Sequence, residues 1–157
     1  MPLTRDEDIT ELLTNARTIA MVGASDRPDR ASFGVMRFLQ QQGYRVIPVN
    51  PRITGEHVHG EFVFRELSQL GDPIDIVDIF MNSANAGAVV DQAIAVGAKA
   101  VWMQLGVIDE AAASRAEAAG LKVVMDHCPK IEIARLGLKP VDPSPVGEGG
   151  SDKVAEG

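Results

Sequence analysis

The stretch Thr18-Ile19-Ala20-Met21-Val22-Gly23-Ala24-Ser25 is followed by a polar loop over 26–31 and then by Ser32-Phe33-Gly34-Val35-Met36-Arg37-Phe38-Leu39. It closes with Tyr44-Arg45-Val46-Ile47-Pro48-Val49-Asn50-Pro51. The pattern predicts strand, glycine turn, helix and second strand, half of a nucleotide-binding βαβ unit. Ile19 to Val22 carry no polar face, which suits a strand covered on both sides. Gly23 permits a sharp turn at the strand's carboxyl end and lets another group approach the backbone. Ser32 reads as an N-cap, and the free N–H groups and positive dipole end behind it would hold an anionic phosphate or diphosphate. Gly34 inside that helix costs about 1 kcal/mol against alanine, which argues for close approach of a ligand. Packing of Gly34 against a strand is the structural alternative.

Working outward, 157 residues suit one domain with tails. Hydrophobic residues make up 45% of the chain, enough for a core. A net charge of −7 argues against a binder of nucleic acid backbones, and one Trp with one Tyr leaves no aromatic ladder for single strands. Residues 23–52 run against the sum: Arg27, Arg30, Arg37, Arg45 and Arg52 against Asp26 and Asp29 give +3. Of these, Arg27, Arg30 and Arg52 fall on loops at the phosphate end and are the candidates for anion pairing. The lone Cys128 excludes an internal disulfide and a CxxC metal site. No apolar run approaches the roughly 20 residues of a membrane span, and the acidic amino terminus lacks a signal-peptide core. A cytoplasmic setting is the resulting expectation.

Along the chain, Asp6 or Asp8 is expected to cap a first helix, with Arg17 near its end complementing the dipole. Strands are expected at 18–22, 45–49, 74–80, 98–103 and 121–125, with 53–64 as loop and a short helix over 65–70. Asn82 or Ser83 caps the helix that Gly97 stops, and Asp109 caps the one that Gly120 stops. The α/β alternation implies a three-layer, Rossmann-like, doubly wound parallel sheet of about five strands, in the order 3-2-1-4-5. Its switch point would lie between strands one and four, so Gly23 to Ser25 and Gln104 to Gly106 would face one crevice. The domain is expected over 1–138, with 139–157 a flexible acidic, Pro/Gly-rich tail.

The dinucleotide fingerprint GxGxxG is absent, because Ala24, Ser25, Asp26, Arg27 and Pro28 follow Gly23. Asn50 ends strand two where NAD binding would want an acid, whereas Arg52 would suit a ribose phosphate. Several stretches together resemble the small stand-alone bacterial CoA-binding proteins, related to the CoA-binding domain of the succinyl-CoA synthetase α subunit. They are Val22 to Ser25, Ser32 to Val35, Gly43 to Pro51, Val77 to Phe80, Val101 to Val107, and Val124 to Asp126 with Cys128-Pro129. The resemblance covers about residues 9–137 and implies coenzyme A held in an extended pose. It implies that Gly23, Ala24 and Ser25 with Ser32, Phe33, Gly34 and Val35 hold the diphosphate. It implies that Asn50, Pro51 and Arg52 meet the ribose phosphate and adenine end, that Phe80 and Met81 flank the adenine, and that Gln104 and Gly106 line the wall nearer the pantetheine. Met81-Asn82 departs from the basic residue usual after strand three, and His127 stands where an arginine is common.

Cys128 reads as a buried structural thiol, since no base or helix start adjoins it to activate it. A mixed disulfide with coenzyme A is the alternative. His57 and His59 alternate on an extended segment and read as exposed loop residues rather than zinc ligands. Asp75 and Asp78 face opposite sides of a strand, and Asp78 is expected to accept neighbouring backbone N–H groups. No nucleophile, base and orienting residue converge, so the leading function is a coenzyme A or acyl-CoA binding protein, non-catalytic on its own. An NADP-dependent reductase and a CoA-responsive regulatory or scaffold subunit with an unknown protein partner are the alternatives.

Overall fold

The computed structural model describes residues 1–143; the remainder of the expected tail, 144–157, lies outside the described residues. Twelve elements follow in order: α1 (Asp6–Asn15), β1 (Thr18–Val22), α2 (Ala31–Gln41), β2 (Arg45–Val49), β3 (His57–Val58), β4 (Glu61–Phe62), β5 (Ile76–Ile79), α3 (Ser83–Ala95), β6 (Ala100–Met103), α4 (Glu110–Ala118), β7 (Lys122–Val124) and α5 (Pro129–Leu136). A 3-10 turn, Leu67–Gln69, precedes β5.

Residues alternate strictly through the central strands. Ile19 and Met21 of β1 join Trp102, Met36, Leu39, Ile9, Leu13 and Ile133 beneath α1, α2 and α5. Ala20 and Val22 join Val77, Ile79, Val101, Met103, Val90 and Ala116 beneath α3 and α4. These two apolar layers sandwich the sheet, the expected three-layer Rossmann-like α/β architecture.

The five parallel strands run β2-β1-β5-β6-β7. In the numbering of the five expected strands this is 2-1-3-4-5, which corrects 3-2-1-4-5: the third strand pairs with the first instead of lying outside the second. Pro48 supplies the physical reason. Its carbonyl points to the outer edge of β2, where it accepts from the Phe64 amide at 3.0 Å. The ring nitrogen on that same side has no proton to donate, so a further ladder there would lack a rung, and β2 is an edge strand. The edge is covered instead by Phe64, bridged to Val49, while the Leu3 amide bonds the Val123 carbonyl on β7 at 2.7 Å. The switch point therefore falls between β1 and β5, not between the first and fourth strands.

Helix starts also differ from expectation. Arg5 precedes α1 and caps it with no side chain, so Asp6 and Asp8 act within the first turn, where the dipole favours acids. Arg17 does close that helix, through Nη1 to the Thr14 and Ala16 carbonyls. Arg30, not Ser32, precedes α2, and no side chain caps that helix either. Asn82 and Asp109 cap α3 and α4 as expected, accepting from the Asn85 and Ala112 amides.

Within 53–64 the chain forms a hairpin, β3 against β4, turning through His59 and Gly60, both at positive φ. His59 is half-buried: its Nε2 donates to the Phe33 carbonyl at 2.8 Å and its ring lies 4.1 Å from that of Phe33. Gln40 Nε2 donates to the His59 carbonyl at 3.1 Å, so the hairpin docks on α2. After α5, the Val141 amide donates to the Gln42 carbonyl at 2.8 Å, and this segment runs along the end of α2.

Candidate functional site

Two contiguous hollows open above the carboxyl ends of the strands. The smaller, about 380 Å³, is lined by Gly23, Ser25, Arg27, Arg30, Ser32 and Asn50, with Ala31 and Phe80. The larger, about 850 Å³, shares Arg30, Ala31 and Phe80 and continues past Gly34, Val35, Met81 and Gln104 to Cys128 and Lys130. Both start from the β1–β5 switch point. There Gly23 has φ +89°, and a β-carbon built on it would overlap the Phe80 carbonyl oxygen and lie 2.9 Å from the Phe80 carbonyl carbon. Glycine is required by both the conformation and the space.

The electrostatics favour an anion. The amino ends of α2 and α5 both face the larger hollow and neither carries a side-chain cap; α5 opens on Pro129, which has no N–H, so its uncapped donors begin at Lys130. Arg30 makes no salt bridge among the described residues, whereas Arg27 is taken by Asp29 at 3.0 Å. Lys130 Nζ stands 5.6 Å over the Phe38 ring. Gly34 is exposed and a β-carbon there would meet nothing within 4 Å, so packing against a strand is not its reason.

Several of the expected residues hold the site rather than line it. Ala24 is buried, and its carbonyl accepts from Asn50 Nδ2 at 2.7 Å, tying the glycine turn to the end of β2. Asn50 Oδ1 accepts the Arg52 amide at 2.8 Å, a local turn that consumes the other half of its side chain. Pro51 and Arg52 are exposed and line neither hollow; Phe33 is turned to His59. Gly106 also lies off the lining: its amide donates to Asp126 Oδ1 at 2.7 Å and its carbonyl accepts from Ser83 Oγ at 3.2 Å. Gln104 does line the larger hollow, although it follows β6 and not the strand next to β1.

Other contributors were not anticipated. Arg65 Nη1 donates to the Asn50 carbonyl at 3.2 Å and to that of Ile53, pinning the loop that follows β2. Its partners are main-chain atoms, for which no sequence signal exists. Asp126, at φ 63°, and Trp102, whose Nε1 donates to the His127 carbonyl at 2.9 Å, fix the turn that leads to Cys128. Cys128 immediately precedes α5, so a helix start does adjoin it, contrary to expectation.

Asp78 corrects a second expectation. It is fully buried on β5 between Met21 and Trp102, and neither carboxylate oxygen finds a hydrogen-bond partner among the described residues. Burial pushes its pKa well above the ordinary carboxylate range. Asp75 behaves oppositely. Burial would raise it, yet the Thr18 and Arg17 amides and the Lys99 ammonium together hold it below its usual value.

The family described as CoA binding domain matches residues 17–134. The chain belongs to this CoA binding domain family. The match runs from the start of β1 into α5 and so includes both hollows. Among family-sized relatives, the uncharacterized protein YneT of Bacillus subtilis is 37% identical over 124 residues, 79% of this chain and 90% of YneT. A solved hypothetical protein from Pyrococcus horikoshii OT3 is 39% identical, with a TM-score of 0.81, covering 87% of this chain and 96% of that one. The dinucleotide forming acetyl-coenzyme A synthetase 1 of Ca. Korarchaeum cryptofilum, solved with phosphate and ADP, shares 27% identity at a TM-score of 0.64. That likeness covers 72% of this chain and 26% of the synthetase.

Proposed function

We propose that this protein binds coenzyme A or an acyl-CoA in an extended pose across the carboxyl ends of β1, β5 and β6, as a binding module without chemistry of its own. One observation carries the reading: two uncapped helix starts open on one continuous cleft, beside an arginine with no acid partner among the described residues. A ligand with a diphosphate in its middle and a long polar arm matches that layout. The diphosphate sits at the junction of the hollows, on the amides of Gly23 to Ser25 and the first turn of α2, with Arg30 alongside. The nucleoside end takes the smaller hollow near Asn50, and Phe80 stands between the two ends. The arm follows Gly34, Met81 and Gln104, which moves Met81 from the adenine to the arm. The hydroxyls on the cleft, Ser25 and Ser32, have no histidine among the described lining residues. That supports binding over conversion.

Isothermal titration tests this. Coenzyme A should give saturable heat and bind on the order of tenfold or more tighter than NADPH, a difference of about 1.4 kcal/mol. Heat with NADPH and none with coenzyme A would reverse the assignment in favour of a reductase.

A further inference from the structure

Cys128 stands at the end of the larger hollow away from Gly23, 6% exposed but on the lining. The turn that presents it is held from three sides. Trp102 Nε1 donates to the His127 carbonyl at 2.9 Å, the Gly106 amide to Asp126 Oδ1 at 2.7 Å, and the His127 amide to the Met103 carbonyl at 3.3 Å. Gln104 lines the same hollow, is itself only 6% exposed, and its Oε1 has no hydrogen-bond partner among the described residues. A buried amide left short of a partner on a cleft wall calls for a donor from a ligand. The arm of coenzyme A carries amide N–H groups along its length and a sulfur at its tip.

We propose that Cys128 captures coenzyme A covalently, by thiol–disulfide exchange with a coenzyme A disulfide. The proposal rests on the coenzyme A reading above. The Cys128 thiolate attacks one sulfur of the ligand's disulfide, a protein–ligand S–S bond forms, and the ligand's own S–S bond breaks. The departing coenzyme A thiolate leaves with the electron pair and takes up a proton, replacing the one Cys128 gave to solvent. The disulfide is the oxidant, and none other is required. With one cysteine in the chain there is no internal thiol to resolve the adduct. It therefore persists until an external thiol reduces it, and the occupied cleft becomes a record of oxidation.

The reduced, full-length protein is incubated with coenzyme A disulfide, or with glutathione disulfide, and followed by intact mass. One coenzyme A should add, map to the tryptic peptide Val123–Lys130, and leave on treatment with dithiothreitol. Cys128→Ser should gain nothing. Addition from coenzyme A disulfide should be on the order of tenfold or more faster than from glutathione disulfide, because the cleft orients it, and S-methyl coenzyme A should slow it. Titration of the wild-type protein with reduced coenzyme A, run in parallel, separates the two claims. Saturable binding with no adduct overturns the covalent step, and equal rates from both disulfides overturn capture by the cleft; either result leaves the binding reading standing. No binding and no adduct overturns both.

Discussion

The Gly23 backbone crosses the Phe80 carbonyl so closely that no β-carbon fits between them. This contact is where β1 and β5 part, and both hollows begin at it. Gly34 is its converse, a glycine with open space where a side chain would stand.

The two glycines are therefore expected to respond oppositely. Gly23→Ala meets main-chain atoms at positive φ and should destabilise the fold by about 3 kcal/mol or more. Gly34→Ala should leave stability unchanged or raise it by about 0.5–1 kcal/mol, by removing a helical glycine. Gly34→Leu should fold yet bind coenzyme A on the order of tenfold more weakly, by filling the cleft. Urea denaturation and isothermal titration read both quantities.

Asp78 makes stability fall as pH rises. Its carboxyl is favoured protonated in the fold, so its full contribution is present below the ordinary carboxylate pKa of about 3.9. That contribution is lost progressively from there up to the raised folded value. Asp78→Asn cannot ionise, so its stability relative to wild type should improve as pH rises from about 4 toward the raised folded value. Parallel urea midpoints across that range would contradict the assignment. Asp75 runs the other way: its contribution is present above about 3.9 and lost as pH falls through its lowered folded value.

Trp102→Phe keeps most of the buried ring but removes the donor to the His127 carbonyl. A loss of about 1–3 kcal/mol is expected in chemical denaturation followed by circular dichroism, the tryptophan signal being gone. The turn before Cys128 should exchange its amides faster.

Arg27 and Arg30 are the two ends of one turn, the Arg30 amide donating to the Arg27 carbonyl at 3.0 Å, but differ in engagement. Arg30→Ala should weaken coenzyme A binding by about tenfold, or 1.4 kcal/mol, and flatten its dependence on salt. Arg27→Ala, whose guanidinium is already held by Asp29, should matter less. Titrations at two ionic strengths distinguish them.

Much of the fold was legible because it rests on local pattern. The apolar run at Ile19 to Val22, and Ile76 to Ile79 with Asp78 its one polar residue, mark strands buried on both faces, and Asn82 and Asp109 mark helix starts by side-chain chemistry. Strand order is not local. The one local cue is Pro48, whose missing N–H makes β2 an edge. The β3–β4 hairpin escaped because strands of two residues show no alternation, and His59-Gly60 is not the usual asparagine–glycine turn. At the site, Gly23, Gly34 and Gln104 could be singled out from sequence because their residue type is itself informative. Arg65 and Asp126 could not, since they act on main-chain groups brought together only by the fold.

A crystal of the full chain grown with coenzyme A tests the central claim most directly. Density for the two linked phosphates should lie against the amides of Gly23 to Ser25 and of the first turn of α2, with the arm running past Gln104 toward Cys128. Coenzyme A bound elsewhere, or that corner left vacant at saturating ligand, would contradict the account.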